Sequence, residues 1–172
     1  TDMLDKKIVD LINLQINKEF YSSFFYMDMA NYYTDQSLNG FANWFNIQTQ
    51  EEYAHAMLFV QYLQLNGEKV VLESIAKPSV EFKDHKHPLV AAYDHELMVT
   101  RSINDIYAVA FDQKDFKTMQ FLDWFVKEQA EEEQNVDEMI KRYDLFGTDA
   151  RGLYMLDQEL GQRTYTPPSL TL

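Results

Sequence analysis

The stretch Gln50-Glu51-Glu52-Tyr53-Ala54-His55-Ala56 is the most informative in the chain, because it puts a glutamate and a histidine on the apolar face of a predicted helix. Glu52 and His55 are three residues apart and therefore share one helix face. A lone Glu-x-x-His pair is most often an exposed pair on a helix surface, so its meaning depends on the rest of the chain. The same face continues in both directions as Phe41, Phe45, Gln48, Phe59 and Tyr62.

Three further segments repeat this arrangement, in which a mostly apolar row is interrupted near its middle by a glutamate. The spacing alternates between three and four residues, which predicts an α-helix with one face turned inward. The three rows are Ile12, Ile16, Glu19, Ser23, Tyr26 and Ala30; Leu89, Ala92, Glu96, Val99, Ile103, Ile106 and Ala110; and Leu122, Phe125, Gln129, Glu132, Val136, Met139 and Tyr143.

Turn residues between the rows predict helices at about residues 4–33, 39–66, 87–112 and 117–146, with a short fifth helix at 149–160. Roughly 20 residues connect the second and third helices, which is enough to run the length of a bundle and leave these two helices parallel. We therefore predict one domain over residues 1–172, an all-α four-helix bundle with one long crossover and a short C-terminal helix.

Composition excludes several classes of protein. The net charge of −13 argues against a nucleic-acid partner, which would need a basic face. The absence of cysteine excludes disulfides, zinc knuckles and iron–sulfur clusters. The sequence has no apolar run of about 18 residues that could span a membrane, and its start has no signal-peptide core. We predict a cytoplasmic protein without a membrane or nucleic-acid partner.

The four inward glutamates require a positive counterpart, because buried carboxylates at similar depth repel one another. None of the 15 lysines and arginines lies on the four rows. Two divalent ions would balance the four carboxylates, +4 against −4, and a carboxylate-rich site with one imidazole suits iron or manganese better than a structural zinc. The alternative is a plain bundle in which the helix phases are misread, and it needs the same coincidence in all four helices.

Five stretches carry a family resemblance: residues 17–23 with Tyr26, 50–56, His95-Glu96, 121–133 and 152–157. In these stretches the chain resembles the bacterial non-haem ferritins, over about residues 4–160. The resemblance implies the ferritin-like form of the bundle and a ferroxidase centre with two Fe per subunit. It implies that one iron is held by Glu19, Glu52 and His55, and the second by Glu52 as bridge, Glu96 and Glu132.

The resemblance also implies roles for residues around the centre. Gln129 would lie beside the iron pair, although a hydrogen-bonded core amide explains it equally well. A third iron site would be formed by Glu51, Glu128 and Glu131, for which the alternative is a solvated acidic face. Tyr26 matches a family tyrosine that could donate an electron, and a packed core tyrosine is the alternative.

Two differences from the bacterioferritins narrow the predicted family to ferritins without haem. Bacterioferritins bind haem through a methionine next to the bridging glutamate, and this chain has Tyr53 there, so we predict no haem. They also repeat Glu-x-x-His on the fourth helix, where this chain has Glu132-Glu133-Gln134-Asn135.

The resemblance implies an iron-storage protein that oxidises Fe(II) to Fe(III) with O₂ or H₂O₂ and keeps ferric mineral inside a homo-oligomeric shell of 24 subunits. Two other functions stay open. A di-iron oxygenase or peroxidase acting on a small substrate would need a substrate pocket and an electron-transfer partner. A non-catalytic metal buffer would bind ions without oxidising Fe(II).

Overall fold

A computed structural model describes residues 3–172; Thr1 and Asp2 lie outside it. The described residues form no strand. Five α-helices follow one another along the chain: α1 (Lys6–Asp35), α2 (Asn39–Leu65), α3 (His87–Asp112), α4 (Phe116–Phe146) and α5 (Ala150–Leu160). The prediction of an all-α bundle with a short fifth helix is confirmed. Between Met3 and Leu172, no helix combines the length with the apolar character that a bilayer span requires.

Aspartate caps set the starts of three helices. The side chains of Asp5, Asp115 and Asp149 each accept a hydrogen bond from a backbone N–H two or three residues later. Each bond satisfies one of the amides that a helix start leaves unpaired. As a result α1 begins at Lys6, two residues after the expected position, whereas α4 and α5 begin within one residue of theirs.

The crossover between α2 and α3 runs back along α1. Near one end of α1, Asn13 accepts a hydrogen bond from Val71 N at 2.9 Å. Near the other end, Tyr33 donates to the backbone oxygen of His85 at 2.7 Å. These contacts are 20 positions apart on α1, which corresponds to about 30 Å of helix. The chain therefore crosses the length of the bundle before α3 begins, so α3 runs parallel to α2.

The core consists of two apolar clusters separated by a polar layer. One cluster contains Ile12, Phe59 and Ile106, and the other contains Tyr33, Phe41 and Met139. The predicted inward rows are buried along their full length except at Tyr143, which is half-buried because it lies in the last turn of α4. The inward glutamates lie between the two clusters.

Helix α5 packs against the start of α2. The Asp157 side chain accepts a hydrogen bond from Phe41 N at 2.9 Å. The two helices approach so closely that a Cβ atom at Gly40 would lie 1.6 Å from the Asp157 carbonyl oxygen. Asn43 then donates to the backbone oxygens of Leu160 at 3.3 Å and Arg163 at 3.1 Å, which fixes the path of the chain after α5.

Candidate metal centre

The four bundle helices each contribute side chains to one buried layer. Glu19 comes from α1, Glu52 and His55 from α2, Glu96 from α3 and Glu132 from α4. None of these five residues is more than 3% exposed. They are brought together because each lies on the inward row of its helix at about half its length.

Two overlapping groups in this layer have the spacing of metal ligands. One ligand atom each from Glu19, Glu52 and His55 lie within 4.8 Å of one another, and so do ligand atoms of Glu52, Glu96 and Glu132. Ligand bonds of about 2.0–2.3 Å place donor atoms around one ion at separations of this order. Glu52 belongs to both groups, so its two oxygens are suited to bridging two ions.

One oxygen of the layer supports metal binding directly. Glu19 Oε1 accepts a hydrogen bond from Gln15 at 2.9 Å, while Glu19 Oε2 is buried with no hydrogen-bond partner in residues 3–172. A buried carboxylate oxygen without a partner is costly. A metal ion between Glu19, Glu52 and His55 would satisfy it.

Amide and hydroxyl groups orient the other carboxylates. Gln48 Nε2 donates to Glu52 Oε1 and to Glu132 Oε2, both at 2.9 Å. Gln129 Nε2 donates to Glu96 Oε2 at 3.0 Å, and the Tyr26 hydroxyl donates to Glu96 Oε1. These bonds reduce the freedom of the carboxylates before any ion arrives.

Burial and mutual repulsion govern the ionisation of the layer. Burial and the charge of Glu52 raise the pKa of Glu19 well above its ordinary value. The same causes raise the pKa of Glu96 to about 8, and burial with the charge of Glu96 raises that of Glu132. Burial disfavours both charged forms of the Glu52–His55 pair. Even so, the hydrogen bond between them keeps the pKa of Glu52 low and that of His55 high.

The three residues predicted for a third iron site have different surroundings. Glu128 is half-buried and shares a potential ligand group with His55 and Glu132. Glu51 is paired with Arg163, with Oε2 3.0 Å from Nη2. Glu131 is exposed and belongs to no ligand group within the described part of the chain.

Three residues that were not predicted from the sequence also belong to the surroundings of the layer: Gln15, Gln48 and Arg163. A signal for the two glutamines exists, because each stands four residues before an inward glutamate, within side-chain reach on a helix. Arg163 gave no such signal, since it meets Glu51 across 112 positions of sequence.

Comparison with known proteins finds relatives that match most of the chain. The family model for the ferritin-like domain matches residues 9–146. A probable bacterial non-heme ferritin-like protein of Haemophilus influenzae is 34% identical over 92% of this chain and 96% of its own length. A bacterial non-heme ferritin of Staphylococcus aureus is 32% identical over 95% of this chain and 98% of its own. An open-pore ferritin from Archaeoglobus fulgidus has a TM-score of 0.91 at 37% identity, covering 94% of this chain and 98% of its own.

The four helices of this bundle direct carboxylates and one histidine into a shared buried layer. This arrangement is typical of the class of carboxylate bundles that bind metal ions in their core. Within that class, this chain belongs to the ferritin family. The resemblance to bacterial non-haem ferritins is thereby confirmed. Family and site together support a role in iron storage.

Proposed function

We propose that this protein stores iron and is a ferroxidase. Two Fe(II) ions bind in each chain, one at Glu19, Glu52 and His55 and the other at Glu52, Glu96 and Glu132. O₂ or H₂O₂ oxidises them to Fe(III), and the ferric product collects inside a shell of 24 copies in the cytoplasm. The proposed centre contains no haem.

The observation that carries this proposal is that Glu52 belongs to both ligand groups. A residue shared in this way keeps two ions close enough to react with one oxidant molecule. The ligand set favours the oxidised state as well, because hard anionic oxygens stabilise the higher charge of Fe(III). The apolar clusters on either side limit the access of water to the layer.

The proposed reaction changes the charge of the layer. Two Fe(II) ions give one electron each, and O₂ takes up both electrons with two protons to leave H₂O₂. Four glutamates and two Fe(II) ions sum to zero, whereas two Fe(III) ions leave an excess of +2. This excess favours departure of the product toward nearby acidic side chains. We propose that Glu51, Glu128 and Glu131 form the third iron site, and that the product reaches it first at Glu128, since this residue neighbours His55 and Glu132.

We propose supporting roles for two further residues. Gln129 holds Glu96 in its binding orientation through the hydrogen bond to Oε2. Tyr26 contacts the other oxygen of Glu96, and is therefore close enough to the centre to donate the second electron when only one Fe(II) ion is bound.

Anaerobic titration with Fe(II), followed by rapid mixing with O₂, tests the proposal. We expect a fast absorbance phase that saturates near two Fe(II) per chain in the wild type and is absent in Glu52→Ala and Glu52→Gln. Glu138→Ala is the matched control, because Glu138 is an exposed glutamate on α4 outside both ligand groups. A fast phase that survives loss of Glu52 would contradict a centre bridged by this residue.

The same titration separates the alternatives. A metal buffer would bind two ions without the oxidation phase. An oxygenase would consume O₂ only with an organic substrate present. A cavity of about 620 Å³ lies between α1, α3 and the crossover, and none of the five ligands lines it. The cavity therefore gives no support to a substrate site at the metal layer, which is the buried layer of Glu19, Glu52, His55, Glu96 and Glu132.

A further inference from the structure

Arg163, three residues beyond the end of α5, extends its side chain to the edge of the metal layer. Its Nη1 donates to the Trp44 carbonyl at 3.0 Å, and its Nη2 donates to Gln48 Oε1 at 3.1 Å. Nη2 also lies 3.0 Å from Glu51 Oε2. The guanidinium carbon stands 4.1 Å from the centre of the Trp44 ring.

These contacts distinguish Arg163 from a surface arginine in an ordinary exposed ion pair. Its side chain is 19% exposed and that of Glu51 is 20% exposed. The Arg163 backbone is tied to α2 by the Asn43 amide. An ordinary exposed ion pair holds its geometry weakly, because two flexible side chains must be ordered in water. Here the backbone, the ring and two acceptors fix the guanidinium.

The first consequence concerns Gln48. Because Gln48 Oε1 accepts from Arg163, the amide must turn Nε2 toward the metal layer, where it donates to Glu52 and Glu132. The reversed amide would place an oxygen against two carboxylates and an N–H against a cation. Arg163 therefore determines the orientation of a side chain that holds two iron ligands.

The second consequence concerns Glu51, a member of the proposed third iron site. Its Oε2 is already neutralised by the guanidinium. An iron ion that binds to this carboxylate must displace Arg163, share Oε2 with it, or bind Oε1 of a carboxylate that the guanidinium already neutralises. Each of these reduces the affinity for iron.

We propose that Arg163 is a built-in competitor of iron at Glu51 and a positioning residue for Gln48, so that each chain retains two iron ions tightly and a third only when Arg163 moves away. The inference rests on the proposed iron-binding function. It assigns to the segment after α5 control over how many ions the site holds.

Anaerobic calorimetric titration with Fe(II) tests the competition. We expect two tight ions per chain in the wild type, and in Arg163→Met a third ion whose affinity is at least tenfold higher than in the wild type. Arg163→Lys, which keeps a charge without the planar fork, should give a smaller increase. Arg142→Met is the matched control, since Arg142 pairs with Glu159 of α5 away from the metal layer, and its third-ion affinity should equal that of the wild type.

A second variant links the effect to Glu51. In the double variant Arg163→Met/Glu51→Gln, the gain in third-ion affinity should disappear. A gain that persists there, or equal third-ion affinity in Arg163→Met and the wild type, would overturn the inference. Loss of the two tight ions from the wild type itself would instead overturn the proposed function.

The fluorescence of Trp44 reports displacement of Arg163 in a titration with Zn(II), which cannot be oxidised. In a Trp124→Phe background, Trp44 is the sole tryptophan, and the Arg163 guanidinium stacks on its ring. We expect Trp44 emission to stay constant as the first two Zn(II) ions bind and to change with the third. A change that is complete with the first ion, or none with the third, would contradict displacement of Arg163 by metal.

Discussion

Each buried glutamate of the metal layer is ionised or protonated according to what lies beside it. Without metal, Glu96 and Glu132 avoid charge, and their raised pKa values express this. Glu52 stays ionised because His55 donates to it. In the metal-free protein, protons therefore neutralise some of the carboxylates that metal ions would neutralise in the loaded protein.

Metal binding should consequently release protons. A carboxyl that is neutral in the metal-free protein must lose its proton to become a ligand. Since the pKa of Glu96 is about 8, a rise in pH toward that value removes the competing proton and strengthens metal binding. We expect the Zn(II) affinity to rise about tenfold per pH unit for each displaced proton, and the rise to flatten above the pKa.

Calorimetry in buffers of different ionisation enthalpy counts these protons. Glu96→Gln should release fewer protons than the wild type, whereas Glu138→Gln should match it. An affinity independent of pH between about 6 and 8 would contradict raised carboxyl pKa values.

Tyr26 acts on the same equilibrium through its hydrogen bond to Glu96. That bond opposes the rise in the pKa of Glu96, so its removal in Tyr26→Phe should raise this pKa further. We expect the gain in Zn(II) affinity to occur at higher pH than in the wild type. Tyr33→Phe is the control, because Tyr33 is equally buried and donates to the His85 backbone instead. Identical pH profiles for Tyr26→Phe and the wild type would contradict this role.

At the scale of the helices, the periodicity of the sequence is sufficient to predict the properties that depend on a single helix. The spacing of apolar residues predicted which faces are buried, because an inward face repeats every three to four residues. It therefore predicted the layer that holds Glu19, Glu52 and Glu132. The contacts of Arg163 depend on how α5 returns to α2, which is a property of tertiary packing. No local pattern encodes that approach.

The contact between α2 and α5 can be tested at two glycines. In Gly40→Ala the added Cβ atom would collide with the Asp157 backbone, so we expect destabilisation of about 1–3 kcal/mol and faster hydrogen exchange across α5. In Gly161→Ala the nearest atom would be 3.4 Å away and φ is −67°, so the effect should stay below about 1 kcal/mol. Equal exchange rates in the two variants would contradict the close approach.

At the scale of the whole molecule, apolar side chains remain on the surface of the isolated chain. Leu145 at the end of α4, and Tyr154 and Met155 on α5, are each more than 60% exposed. Apolar side chains as exposed as these are expected to be covered by other subunits in the proposed shell.

A double variant, Tyr154→Glu/Met155→Glu, should therefore fail to assemble. We expect sedimentation as species much smaller than the wild-type shell, with unchanged helical circular dichroism. Gln158→Glu adds a charge at an exposed position of the same helix and should leave assembly intact. Normal assembly of the double variant would show that these side chains are not subunit contacts.

The separation of the core into two apolar clusters bears on the survival of the protein in the cell. At half the height of the bundle, polar side chains replace the apolar contacts that hold the helices together above and below. Local opening there costs less free energy in the empty protein. Ions bound at the proposed centre would join all four helices at that height and shift the equilibrium toward the closed bundle. Proteases cleave opened chains, so we expect chains that carry iron to outlast empty ones. The supply of iron would then set the lifetime of the protein that stores it.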